Sequence, residues 1–436
     1  AMNEHVSPVL GWGWLLAAMM ANLVWAMPQF SLGTAALQQN LFPQYLSGDS
    51  AKIICVVGLF LLAAVVVWFY DSPGWGVRIF EISLKAMVGL VVLSFFGVVV
   101  AMSWKGELDW AAITKGFVPD LSLLWRPVTG LSGFIEESNA PDYWTATILR
   151  AQRERMIAAA ATAVGINMTF LLPYSMLRKG WDRAFRGLAA FDLSTGLFIP
   201  FLLATSCVVI AAASQFHAEI NEKIISQPAV EITGSYRDNL ERRVKADLSV
   251  DDSTSLSESG MNERIDALSL ADRKLAYTLI KRDAFDLANA LENLFGKGGL
   301  TQKIFGIGVL GMAISTIVIL MVINGFCICE MTHREGDRVV QRLGAILPGI
   351  VGGLGFLALW GDEQAKFWLA VPTSNFGMVL LPIAYIAFFF MMNSPSLLGD
   401  AMPRGGVRII VNVVMLVAIA AASVGAGLSV WANVGW

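Results

Sequence analysis

Residues able to hold or move a charged solute are scarce in this chain, and several fall in one stretch. Residues 158–176 read Ala-Ala-Ala-Ala-Thr-Ala-Val-Gly-Ile-Asn-Met-Thr-Phe-Leu-Leu-Pro-Tyr-Ser-Met, apolar enough to enter a bilayer yet interrupted in the middle. Gly165, Asn167 and Thr169 are poor helix formers, and Pro173 cannot donate the backbone hydrogen bond to residue 169. In hydrocarbon, a carbonyl released in this way needs a partner in a neighbouring helix or a polar cavity. Secondary transporters build substrate sites from such discontinuous helices near the membrane midplane. A Pro kink in an ordinary spanning helix fits the same residues, and both readings stay open on this stretch alone.

Other polar or helix-breaking residues within apolar runs include Asn22, Pro28, Gln29 and Ser31, then Asp192, Pro200, Thr205 and Ser206, then Ser315, Thr316, Asn324 and Asn412. A lone Ser, Thr or Asn in a membrane helix usually hydrogen-bonds a neighbouring helix. His217, at the end of Gln215-Phe216-His217, is placed at an outer helix end, and Asp192 at a helix start favoured by the dipole. A divalent cation stripped of water needs hard oxygen or soft sulfur ligands and usually a carboxylate. The sequence predicts no carboxylate beside the interrupted helix.

The elements that must position these residues are membrane helices. The chain has 436 residues, 56% hydrophobic and 15% charged, with a mean hydropathy of +0.61. That much apolar surface defines an integral membrane protein. A net charge of −3 gives no basic field to recommend nucleic acid as a partner. Cys55, Cys207, Cys327 and Cys329 lie in or beside apolar runs and read as small buried hydrophobes without a disulfide framework. The start of the chain lacks the basic and apolar regions of a signal peptide. No Ser-His-Asp set, metal-ligand cluster or phosphate loop argues for an enzyme.

Nine runs are long enough to span: 11–37, 51–70, 84–104, 156–176, 191–214, 304–329, 343–360, 376–393 and 407–431. The short basic loops 178–186, 333–342 and 404–408 fall on one face by alternate threading, which the positive-inside rule assigns to the cytoplasm. The connections 105–155 and 218–303 then lie outside, the first as interfacial short helices and loops with Trp110, Trp125 and Trp144. In the second, Leu240, Val244 and Leu248 predict a helix opened by Ser235, and Ser269 with Asp272 resembles a capping box. Residues 251–260 are Ser- and Asp-rich, and 283–295 place Leu287, Leu291 and Leu294 on one face before Gly296. The expected organisation is membrane helices over 1–217 (with the outer interfacial loop 105–155), an extramembrane helical insertion over 218–303, and membrane helices over 304–436.

The order of several pieces resembles the natural resistance-associated macrophage protein (NRAMP) family of metal transporters. They are residues 76–100, Gly116-Phe-Val-Pro119, the broken helix, Ala211-Ala-Ala-Ser-Gln-Phe-His217, residues 304–316, Arg342-Leu-Gly-Ala-Ile-Leu-Pro348 and Leu380-Leu-Pro-Ile383. The resemblance implies an inverted-repeat bundle of the amino acid–polyamine–organocation type, with nine spanning helices equivalent to family helices three to eleven. The first two family helices, including an Asp-Pro-Gly-Asn motif, would then be absent from this sequence.

The chain departs from the family at its site. The family motif Gly-Ala-Thr-Val-Met-Pro-His falls on Gly165-Ile-Asn-Met-Thr-Phe-Leu171, so the thioether ligand is replaced by Thr169, with Met168 adjacent. Third-helix carboxylates of the family fall near Met27 and Phe30, and a tenth-helix Gln falls on Leu380; His217 alone matches a polar family position outright.

The resemblance therefore implies a secondary transporter moving a divalent metal ion or related small solute by alternating access. Its path would be lined by Gly165, Ile166, Asn167, Met168, Thr169, Pro173 and Gln29. Ile166, Asn167, Met168 and Thr169 would hold the cation, and His217 would serve a proton path. Oxygen-rich ligation favours a hydrated or harder ion such as magnesium. No cofactor is implied beyond the transported cation. The expected setting is a plasma or inner membrane with the insertion on the non-cytoplasmic side. The other reading is a non-transporting membrane protein of the same fold whose outer insertion binds a protein partner.

Overall fold

The computed structural model describes residues 2–69, 75–118, 120–163, 165–216, 222–248, 257–281, 288–289, 291, 299–360 and 370–434. All regular structure among them is helical. The membrane part comprises α1 (Pro8–Ala35), α2 (Gly48–Phe69), α3 (Trp75–Lys105), α4 (Pro141–Ala163), α5 (Met168–Arg178), α6 (Arg186–Leu193) and α7 (Ile199–Phe216). The polar connection contributes α8 (Gly234–Ala246), α9 (Glu258–Asp266) and α10 (Leu270–Thr278), and the chain returns to the bundle with α11 (Gly299–Met331), α12 (Arg338–Trp360), α13 (Ala370–Met392) and α14 (Gly405–Val434).

Eight helical stretches among the described residues are long and apolar enough to cross a membrane, and the chain is an integral, multi-pass membrane protein. The expected nine runs differ at the fourth, which forms no continuous span. It divides between the end of α4 and the short apolar α5. Hydropathy over 156–176 is blind to this division, because a window average dilutes Asn167 among apolar neighbours.

Local chemistry accounts for the ends. Ser7 caps α1 by accepting from Leu10 N, and Pro8 follows at the first helical position, where its fixed φ suits the helix. The Leu-Gln-Gln-Asn run at the other end widens into a π-helical turn, Ala36–Leu41. Asn40 there donates to Gln302 of α11 (2.6 Å), and Gln302 donates to Asn289 (2.8 Å), beside a polar cavity of about 520 Å3. Past α5 the chain turns at Gly180, whose φ of +66° lies in the left-handed region that Gly adopts without strain.

The bundle is organised around α11, whose apolar span is 67% buried against 6–39% for the other seven. It packs on α1, α3 and α12. Without a hydrophobic drive between helices in lipid, close approach depends on small residues. A β-carbon added at Gly352 of α12 would lie 2.5 Å from Ala26 Cβ of α1. Asn324, in the last third of α11, donates to the Gly344 carbonyl of α12 (2.7 Å), the helix-to-helix bond expected of a lone membrane Asn.

Outside the bundle, parts of both long connections build one small core. Ile135, Trp144 and Ile148 pack with Ile225, Tyr236, Leu240, Val244, Ile265 and Leu275. The expected helix around Leu240 and Val244 is α8, but it starts beside Thr233 and ends before Leu248. Ser269 caps α10, accepting from Asp272 N at 3.0 Å. Asp272 is fully buried and accepts from Trp144 Nε1 (2.6 Å), Asn139 N (3.2 Å) and Arg243 Nε (3.2 Å). Burial alone would raise its carboxyl; the hydrogen bonds from Ser269, Trp144 and Asn139 and the Arg243 charge outweigh that and hold it below the usual carboxylate range. Residues 251–256 and most of 283–295 lie outside the described residues.

Candidate functional site

The helix is broken where the sequence places the break. α4 ends at Ala163, residues 165–167 turn, and α5 starts at Met168. Three carbonyls of the turn feed the first turn of α5: Gly165 O accepts from Met168 N (3.0 Å), Ile166 O from Thr169 N (3.2 Å) and Asn167 O from Phe170 N (3.0 Å). The Thr169 hydroxyl also donates to Ile166 O. Pro173 is carried inside α5 without breaking it, so the interruption comes from Gly165 to Asn167.

Two tryptophans of α1 close over the break. Trp14 Nε1 donates to Thr169 Oγ1 (2.9 Å), and Trp25 Nε1 donates to the Thr373 carbonyl of α13 (2.8 Å). The Trp25 ring is seated between two glycines. A β-carbon at Gly165 would lie 2.5 Å from Trp25 Cζ3, and one at Gly377 would lie 2.2 Å from Trp25 Cζ2.

The polar atoms here are deeply buried. Asn167 is 3% exposed and its Oδ1 has no hydrogen-bond partner among the described residues. Asn375 Oδ1 on α13, and both amide atoms of Asn22 on α1, share that condition. Leaving a buried amide group unpaired costs about 1–3 kcal/mol, so the unpartnered Asn167 Oδ1 marks the break as built for something other than tight packing.

Of the expected path residues, Gly165, Ile166, Asn167 and Thr169 are brought together. Ile166 is fully buried against Ala17, Ala21 and Met378, leaving its carbonyl as its polar contribution. Met168 is 38% exposed. Gln29 is half-buried one turn beyond Trp25 and makes no hydrogen bond to the break. His217 lies outside the described residues. Asp192, expected at a helix start, lies in the second turn of the continuous helical stretch 186–213 and pairs with Lys179 (3.7 Å).

The expectation that no carboxylate reaches the interrupted helix is corrected. Tyr174 of α5 donates to the Glu330 carboxylate at the end of α11. Tyr174 stacks on Phe326 (centroids 4.7 Å apart, planes at 7°) and on Phe170 (6.4 Å, 10°), and Phe170 meets Trp14 at 4.9 Å. An aromatic column thus runs from the break to a carboxylate. Sequence reading missed Glu330 because it lies at the end of an apolar run, 156 residues from its partner. It missed Trp25 although a Trp in mid-run, away from either interface, was a signal. No group of three His, Cys, Asp or Glu side chains is placed to hold a metal among the described residues, and the four cysteines are free and buried.

Residues 273–427 match the family described as Natural resistance-associated macrophage protein-like. None of the curated proteins matches the chain. Two crystal structures of mutants of the Eremococcus coleocola manganese transporter align with 100% of this chain and 81% of theirs, at 14% identity and a TM-score of 0.46. Over residues 273–427 the family model supports the resemblance read from the sequence.

Proposed function

We propose that this chain is a secondary transporter of the NRAMP type, moving a divalent metal ion or a related small solute by alternating access. The observation that carries the reading is the interruption at 165–167, which brings the Ile166 carbonyl and the partnerless Asn167 Oδ1 together at a buried point between α1 and α13. Discontinuous helices of this kind supply polar groups at the break; here a solute would take the Ile166 carbonyl in place of the Thr169 hydroxyl that now donates to it. The family match over 273–427 supports the same reading.

Ile166 O, Asn167 and Thr169 would contact the solute, with Met168 entering if α5 rotates. Trp14 holds the Thr169 hydroxyl in place, and Gln29 and Pro173 flank the path. His217 is assigned to a proton path, and the insertion to the non-cytoplasmic side of a plasma or inner membrane. Neutral oxygens suit a hydrated or hard ion such as magnesium better than a soft one.

The test is uptake of manganese and magnesium into proteoliposomes. Asn167→Leu should abolish uptake while leaving the thermal melt near that of the parent; unchanged uptake would remove this site.

A second reading, an interaction protein acting through its outer part, is favoured by the Asp272-centred core that joins both long connections. Replacing residues 222–281 by a short linker discriminates the two: transport survives the excision, and capture of a protein partner does not.

A further inference from the structure

We propose that Arg408 anchors an anionic phospholipid, gripping its phosphate where α14 enters the membrane beside the end of α13. The inference stands on the membrane-spanning fold alone and does not depend on transport.

Three observations carry it. Arg408 lies at the first turn of the apolar span Gly405–Trp431, where Val407, Ile409 and Ile410 around it are exposed, as a lipid-facing surface requires. Its guanidinium is held by an amide: Nε (3.2 Å) and Nη2 (3.1 Å) both donate to Asn393 Oδ1. Asn393 is itself fixed, donating to Asn412 Oδ1 (2.8 Å) and to the Phe389 carbonyl (3.0 Å) and accepting from Asn412 Nδ2 (3.0 Å). Finally, no carboxylate among the described residues pairs with Arg408; the neighbouring cation, Arg404, is the one that Asp400 meets (3.1 Å).

A guanidinium stays charged in any protein. Held half-buried by a neutral oxygen, this charge is oriented without being neutralised, and at the edge of hydrocarbon such a charge calls for an anion. With Nε and one Nη2 hydrogen committed to Asn393, the Nη1–Nη2 edge remains as a fork of the shape that takes two phosphate oxygens. The phosphodiester of a membrane lipid lies at this depth. In a zwitterionic lipid the ammonium already neutralises that phosphate, so a lipid of net negative charge is preferred.

The experiment is native mass spectrometry of the full chain released from detergent, titrated with phosphatidylglycerol or phosphatidylcholine. The parent should retain phosphatidylglycerol about tenfold more tightly, and Arg408→Gln should erase the preference. Arg408→Lys keeps the charge and loses the fork, so its affinity should fall between the two; it also guards against a folding defect in the Gln variant. Arg404→Gln removes the same charge four residues away and should leave the preference within about twofold of the parent. Asn393→Ala leaves Arg408 charged but unheld and should weaken phosphatidylglycerol several-fold. Equal retention of the two lipids by the parent overturns the proposal. So does an equal loss in Arg404→Gln and Arg408→Gln, which is diffuse attraction to a basic surface. Unchanged affinity in Asn393→Ala describes an Arg that merely reaches for any headgroup, and overturns the site too. Inorganic phosphate at millimolar concentration should not displace the lipid; displacement identifies a site for a free anion and overturns the lipid assignment.

Discussion

The phenol of Tyr174 and the carboxylate of Glu330 are hydrogen-bonded to each other, joining the second half of the broken helix to the end of the most buried helix in the bundle. The bond lies at the far end of the column Trp14–Phe170–Tyr174–Phe326, so movement of α5 away from α11 must break it.

Tyr174→Phe removes the hydroxyl and keeps the stack. A hydrogen bond to a charged partner contributes about 1.5–3 kcal/mol, so α5 should detach more readily in this variant. Cys327 is fully buried and packs in a cluster that Tyr174 borders, which makes it a native reporter. Its alkylation should be faster in Tyr174→Phe than in the parent; equal rates would show that the bond does not hold α5.

The outer core should depend on Asp272. Asp272→Asn leaves the buried Arg243 with its partly exposed partner Asp247 alone, and breaking a buried pair from one side costs about 3–5 kcal/mol. Trp144 fluorescence should report early melting of this core. Because the folded pKa is depressed, the contribution of Asp272 is present above its unfolded pKa of about 3.9 and is lost as pH falls through the lower folded value. The parent core should therefore loosen only in strong acid, and Asp272→Asn should flatten that dependence.

At the break, Thr169→Val should cost more than Met168→Leu. The first removes a hydroxyl that accepts from Trp14 and donates to Ile166 O; the second alters an exposed side chain. Losing the two bonds is worth about 1–3 kcal/mol, read as a lower melting temperature, while Met168→Leu should stay within about 0.5 kcal/mol of the parent.

Gly377→Ala should displace Trp25, since the new methyl would lie 2.2 Å from its ring. Overpacking of this kind costs about 1–3 kcal/mol, and a shift in Trp fluorescence should accompany the lower melting temperature.

Much of this was written in local sequence. Gly165 and Asn167 marked the break, Ser269 the cap of α10, and the apolar runs the spanning helices, because each acts through its immediate neighbours. What was hidden is long-range. Trp14 meets Thr169 across 155 positions and Trp144 meets Asp272 across 128, and neither pair has a periodic or motif signature. Hydropathy counts the fourth run among the spans because it sums over a window, whereas a break depends on which residue sits at one position. The core joining 132–150 to the insertion was hidden because interfacial loops and polar helices look alike in composition.

Hydrogen exchange of the backbone amides from 163 to 172, measured in detergent with and without manganese or magnesium, tests the central claim most directly. A solute seated at Ile166 and Asn167 should slow exchange there and leave the outer core around Asp272 unchanged. Exchange at the break that is indifferent to either cation at saturating concentration would contradict it.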